Sequence, residues 1–193
     1  MKKEILFFDT ETTGLPEKGI HYERDFTSFP YIVSISWKFK DVEKDYIIKP
    51  EGYVIPEAAS QIHGITTKIA LEKGVDFSLA INIFLNDCMK ADKICAYNIY
   101  FDTSIIKANC NRYDFIREVV TEILHKSKRL DPIYVATGIM KLTQSGSNRS
   151  KFPNLLELHK YLFGVGFEAH NSMSDVLALE RCYNRLIELG YEI

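Results

Sequence analysis

The chain of 193 residues is 46% hydrophobic, long enough to bury one good core, and is expected to form a single domain over residues 1–193. Its 24 Lys and Arg stand against 26 Asp and Glu, a formal net charge of −2, which excludes the basic excess of a protein that grips a polyanion by counterion release alone. It has no run of eighteen apolar residues, and Met1-Lys2-Lys3-Glu4 leads into a strand without a signal-peptide core, so a cytoplasmic protein with no membrane partner is expected.

Ile5-Leu6-Phe7-Phe8 reads as an apolar strand running into Asp9-Thr10-Glu11-Thr12-Thr13-Gly14-Leu15. Side chains alternate across a strand, so Asp9 and Glu11 lie on one face and can share a divalent cation, although the same spacing also suits a solvated strand edge. Residues 16–30 are rich in turn formers and charge and should form a long loop. Its Tyr22, Phe26 and Phe29, like Tyr100, have rings that can stack on unpaired bases, with core packing or loop anchoring as the simpler role. Residues 31–39 and 45–49 read as two further strands with Lys40-Asp41 as their turn. Pro56 suits the first position of a helix running through Ala58 and Ile62 and ended by Gly64.

Phe77, Ala80, Ile81, Phe84, Leu85 and Cys88 recur at the spacing of one helical face over residues 76–89. Residues 93–97 predict a buried strand that delivers Asn98-Ile99-Tyr100-Phe101-Asp102 to the start of a helix through Ile105, Ile106 and Asn109. A short strand at 129–131, a helix at 132–142, a polar loop at 143–151, a helix capped by Asn154 through Tyr161, and a last helix at 172–189 closed by Gly190 complete the chain. Three early strands followed by strands alternating with helices predict an α/β fold, a mixed sheet with helices packed on it. Lys126, Lys128, Arg129, Lys141, Arg149 and Lys151 against Asp131 give residues 123–151 a local excess of about five positive charges, either a phosphate-contacting strip or a solvated face. Cys88, Cys95, Cys110 and Cys182 lack paired close spacing and read as reduced packing residues rather than zinc ligands or disulfides.

Beside Asp9 and Glu11 at the end of the first strand, two further acids stand near helix starts. Asp102 suits the positive end of its helix, and Ser172-x-x-Asp175 resembles a capping box with Asp at its last position. Asp175, Leu179, Cys182 and Leu186 fall on one stripe, however, so Asp175 is carried against the core, where a lone charge costs several kcal/mol and a metal shared with Asp9 and Glu11 would meet the need. His170 precedes Asp175 by five residues, about 140° of helical rotation, and can join it only from a loop before the helix.

FFDTETTGL, AYNIYFD and AHNSMSD, in that order, closely resemble the three motifs of the DEDDh proofreading-type exonucleases of the ribonuclease H-like superfamily. The resemblance spans roughly residues 4–182, includes IHGIT at 62–66 and LDP at 130–132, and matches the family at Asp9, Glu11, Asp102, His170 and Asp175. It implies a five-stranded mixed sheet with helices on both faces and a 3′-to-5′ exonuclease that releases nucleoside 5′-monophosphates with two Mg²⁺ or Mn²⁺ ions. By the same resemblance Asp9, Glu11 and Asp175 hold one ion, Asp9 also touches the second, Asp102 acts largely through water, and His170 is the general base. Thr12, Leu15, His63, Ile65 and Asn98 are the implied contacts to the terminal nucleotide. The expected partner is the 3′ end of single-stranded or frayed DNA, with an RNA-directed exoribonuclease or oligoribonuclease as the alternative and a catalytically silent nucleic-acid-binding module as the third reading. No sequence feature demonstrates polymerase association or a homodimer.

Overall fold

The computed structural model describes residues 3–143 and 149–193. Five strands, β1 (Ile5–Thr12), β2 (Ile32–Phe39), β3 (Val42–Ile47), β4 (Lys93–Cys95) and β5 (Arg129–Leu130), form one sheet in the order β3-β2-β1-β4-β5. The first three make an antiparallel meander, and β4 and β5 add in parallel on the other side of β1. Among the described residues eight α-helices come after β3, interleaved with β4 and β5: α1 (Glu57–His63), α2 (Thr67–Lys73), α3 (Phe77–Lys90), α4 (Ile99–Arg112), α5 (Arg117–Ile123), α6 (Ile133–Met140), α7 (Leu155–Phe163) and α8 (Ser172–Glu188). The expected α/β fold, a five-stranded mixed sheet with helices packed on it, is therefore present, and none of the described helices is long and apolar enough to cross a membrane.

The pleat of β1 divides the core in two. Leu6 and Phe8 pack with Phe84 of α3 and Ile105 and Ile106 of α4, whereas Phe7 packs on the opposite face with Leu158 of α7 and Leu179, Cys182 and Leu186 of α8. Strand parity then assigns Asp9 and Glu11 to the α8 face and Thr10 to the α4 face. The chemistry is set where the buried strand ends, between two helices that approach from opposite sides.

Several boundaries differ from the sequence reading for local reasons. The second strand begins at Ile32 and the third runs over Val42–Ile47 instead of 45–49, while Ile48 forms a separate parallel bridge to Val75. Pro56 is the N-cap of α1, with extended backbone, rather than its first residue. Helices α2 and α5 went unread because each buries only one or two side chains, Ala70 in one and Val120 and Ile123 in the other, too few for a helical period. The last helix is capped by Asn171, whose Oδ1 accepts the Ser174 amide at 3.1 Å. Ser172 is its first helical residue, so the capping-box reading of Ser172 and Asp175 is replaced.

The segment 16–30 is tied down toward its C-terminal end. Arg112 of α4 donates to the carbonyls of Phe26, Thr27 and Phe29 and lies 3.9 Å from the ring centroid of Tyr31, and Asn109 donates to the carbonyl of Pro30 at 2.9 Å. Phe29 is buried and Tyr22 and Phe26 pack on the core, leaving Tyr100 as the exposed ring of the four. Within the basic segment, Lys128 donates to the carbonyls of Cys88 and Ala91, Arg129 to that of Leu124, and Lys151 pairs with Glu157. Within the polar loop expected at 143–151, Thr143 bridges Ser150 antiparallel and residues 144–148 lie outside the described residues.

Candidate active site

Strand β4 pairs with β1 only as far as Phe7, so from Phe8 onward the β4 side of β1 has no neighbouring strand. The start of α4 fills that place. Asp102, 2% exposed, accepts the backbone amide of Thr10 at 3.2 Å and its hydroxyl at 2.7 Å through Oδ1, standing in for the missing strand. The turn before α4 is held by Asp131, just beyond β5, which accepts the amides of Asn98 and Ile99 at 3.0 Å each and that of Ile133 at 3.1 Å. Consecutive amides converging on one carboxylate account for the left-handed conformation of Asn98, at φ 63°. The LDP tripeptide carried no signal for this cap.

From the other face comes α8. The register sets Asp9 opposite Ser36 and Glu11 opposite Ser34, and Ser172 at the first position of α8 bonds the Ser36 hydroxyl at 2.6 Å and the Ser34 hydroxyl at 3.2 Å. Asp175, one turn further along, thereby reaches the two strand carboxylates. Each of Asp9, Glu11 and Asp175 offers an oxygen within 4.8 Å of the others, a grouping that can hold a metal ion. Asp175 Oδ2 is buried with no hydrogen-bond partner among the described residues. Two alternating serines, Ser34 and Ser36, in a mainly apolar strand were the available sequence signal for the docking of α8.

The electrostatics follow from crowding. Burial, then Asp102, Asp175 and Glu11, hold the Asp9 carboxyl well above the usual carboxylate range. Burial and the charges of Asp175 and Asp102 push Glu11 up to about 7. Burial raises Asp175 to about 6 although the neighbouring amide and imidazole of His170 favour its charged form, and burial raises Asp102 to about 7 against the bonds from Thr10. Such repulsion suits a site completed by a cation, and carboxylate oxygens are the ligands that hard divalent ions prefer. His170 is exposed and left-handed, at φ 68°, in the turn just before α8.

The expected nucleotide contacts divide between two cavities. Thr12, Leu15 and His63 line a cavity of about 320 Å³ together with Glu11 and Phe101, and Leu15 stands 82% exposed at it. Asn98 lines a second cavity of about 210 Å³ with Tyr22, Tyr100 and the same Phe101. Ile65 lines neither; its side chain packs with Val33 and Ile55, and its amide donates to His63 Nδ1 at 3.1 Å. That bond directs the His63 proton to Nε2, which is buried without a hydrogen-bond partner.

The family model described as Exonuclease, of the RNase T type, matches residues 6–183. The chain belongs to this exonuclease family. Comparison with curated proteins gives no match. Among solved structures, a structure of exonuclease I superposes with a TM-score of 0.73 at 19% identity, covering 97% of this chain and 41% of that one. Exonuclease I from Methylocaldum szegediense gives the same values, and E. coli exonuclease I in complex with a dA16 oligonucleotide gives 0.70 at 21% identity with 97% and 41% coverage. The chain thus spans about two fifths of the length of these exonuclease I chains, and the likeness establishes a shared fold. The chain therefore carries the family's exonuclease domain, with an acidic cluster that could hold a metal ion.

Proposed function

We propose that the protein is a single-domain, metal-dependent 3′-to-5′ exonuclease that shortens single-stranded or frayed DNA and releases nucleoside 5′-monophosphates. One observation carries the reading: the mutually close oxygens of Asp9, Glu11 and Asp175, with an unpaired buried oxygen on Asp175. These residues would hold one Mg²⁺ or Mn²⁺, with Asp9 also touching a second and Asp102 contributing through water. When bound, two such ions supply charge stabilisation at both the attacking and leaving oxygens of the scissile phosphate.

The chain's own residues supply the rest. His170, exposed at the mouth of the site beside Asp175, takes the proton of the attacking water on its imidazole. Asp102 fixes the end of β1 through Thr10 and keeps Asp9 and Glu11 in register. The cavity lined by Glu11, Thr12, Leu15 and His63 receives the terminal nucleotide, with exposed Leu15 against its base. Asn98 and Tyr100 serve the nucleotide that follows. DNA is favoured because one exonuclease I of the same fold is seen with a deoxyadenosine oligonucleotide.

The test incubates purified protein and Mg²⁺ with 5′-labelled and 3′-labelled DNA and RNA, single- and double-stranded, beside Asp102→Ala and His170→Ala. Ladders of progressively shorter 5′-labelled DNA with mononucleotide release from the 3′ label are expected, and loss of both in the two variants. Shortening of RNA alone would transfer the activity to RNA. Absence of products on every substrate would overturn the exonuclease reading.

A further inference from the structure

Three hydroxyls lie buried beside the carboxylate cluster, and their protons can be placed. Ser36, 0% exposed, donates to Asp45 Oδ1 at 2.7 Å, which spends its single proton. The 2.6 Å contact between Ser36 and Ser172 must then be a donation from Ser172, and the 3.2 Å contact between Ser34 and Ser172 a donation from Ser34. The result is a one-way chain, Ser34 to Ser172 to Ser36 to Asp45, that starts in β2, passes through the first residue of α8 and ends on a carboxylate of edge strand β3. Asp45 is exposed, so the chain ends on an acceptor at the protein surface.

We propose that Ser34, Ser36, Ser172 and Asp45 are positioning residues that set where the Asp175 carboxylate stands relative to Asp9 and Glu11, and so set the affinity of the site for its divalent ion. The proposal rests on the metal-dependent reading above. Ser36 and Ser34 occupy the register positions of Asp9 and Glu11, so the serine column and the carboxylate column are neighbours on one face of the sheet. Ser172 and Asp175 are three residues apart on α8, one turn, and share a side of that helix. A shift of Ser172 on β2 therefore moves Asp175 against the strand carboxylates by the same amount. Further along, Lys38 of β2 pairs with Glu180 at 2.7 Å and the Phe7 ring meets Tyr183 edge-on at 5.4 Å, so the rest of α8 is held independently and the hydroxyl chain governs its first turn.

The test measures Mn²⁺ binding to the intact protein by calorimetry or by the loss of free Mn²⁺ signal in electron paramagnetic resonance, together with the metal-free Tm. Wild type is compared with Ser172→Ala, Ser36→Ala and Asp45→Ala, the last a surface change that leaves the buried hydroxyls in place. Removing an outer-shell partner commonly costs 10–100-fold in metal affinity, so a rise of about 10-fold in Kd is expected for the two serine variants and about 3-fold for Asp45→Ala. The folded variants should require correspondingly more Mn²⁺ for half-maximal nuclease activity and recover near wild-type rates at saturation. A lowered Tm with unchanged Kd would make the serines packing residues only and overturn the proposal. Failure of wild type itself to bind Mn²⁺ would instead overturn the metal-dependent reading on which it rests.

Discussion

Thr10 and Asp102 are joined twice, the amide and the hydroxyl of Thr10 both donating to the same carboxylate oxygen. Thr10 points to the face opposite Asp9 and Glu11, so the bond fastens the strand between its two acidic residues without occupying either. Thr10→Val keeps the shape and removes the hydroxyl donor. It should cost about 1 kcal/mol in urea denaturation and lower the rate of nucleotide release about 10-fold. Unchanged activity in a destabilised variant would limit Thr10 to folding.

Metal-free stability should fall as pH rises through neutrality. Glu11 and Asp175 are raised from 4.5 and 3.8 to about 7 and about 6 in the folded chain. The folded state binds these protons more tightly than the unfolded state, so their contribution is complete below about pH 4 and is lost as pH climbs through 6 and 7. Asp175→Asn relieves part of the repulsion and should raise the metal-free Tm at pH 8 by about 3 °C, roughly 1 kcal/mol for a domain of this size, while reducing activity at least about 100-fold. Added Mg²⁺ should raise the Tm of wild type and leave that of the variant nearly unchanged. Calorimetric scans across pH with and without Mg²⁺ check all three; a Tm insensitive to Mg²⁺ in both proteins would contradict them.

Asp131→Ala removes the acceptor of three amides at the start of α4 and α6. A loss of about 2–3 kcal/mol is expected, with hydrogen exchange of the Asn98 and Ile99 amides accelerated ahead of global unfolding. Retention of slow exchange at those amides would show that α4 is held by its core face alone.

Asp87 offers an acid-side test remote from the site. Burial pushes its carboxyl up, but hydrogen bonds from Lys44, from the Trp37 indole at 3.0 Å and from Lys90 outweigh it and leave the group below its ordinary 3.8. Its stabilisation is therefore full above about pH 4 and lost as pH falls below that. Asp87→Asn should cost about 2 kcal/mol at pH 7, and the gap to wild type should narrow on acidification. Trp37 is the one tryptophan of the chain, so its fluorescence reports both transitions.

Much of the fold was legible because the strands and longer helices carry dense apolar patterns: Phe77 to Cys88 gave α3, and the stripe of Asp175, Leu179, Cys182 and Leu186 gave α8. The ordered acidic motifs located the cluster through a resemblance that spacing alone could not supply. What stayed hidden depends on contacts between distant segments. Nothing near Asp131 announces that it caps a helix starting at Ile99, and nothing near Ser172 announces Ser36 across 136 residues. The internal bonds of the basic segment stayed hidden for the same reason, since only the folded chain shows that Lys128 and Arg129 bond to the carbonyls at the ends of α3 and α5.

The acidic cluster draws Asp9 and Glu11 from the first strand and Asp175 from the last helix. A nascent chain that has delivered the sheet but not yet α8 lacks a third of the cluster, however well the remainder has condensed. Competence to bind the ion consequently waits on the docking of the first turn of α8 against the sheet and vanishes when that turn frays, so nuclease activity should report this junction more sharply than any spectroscopic measure of helix or sheet.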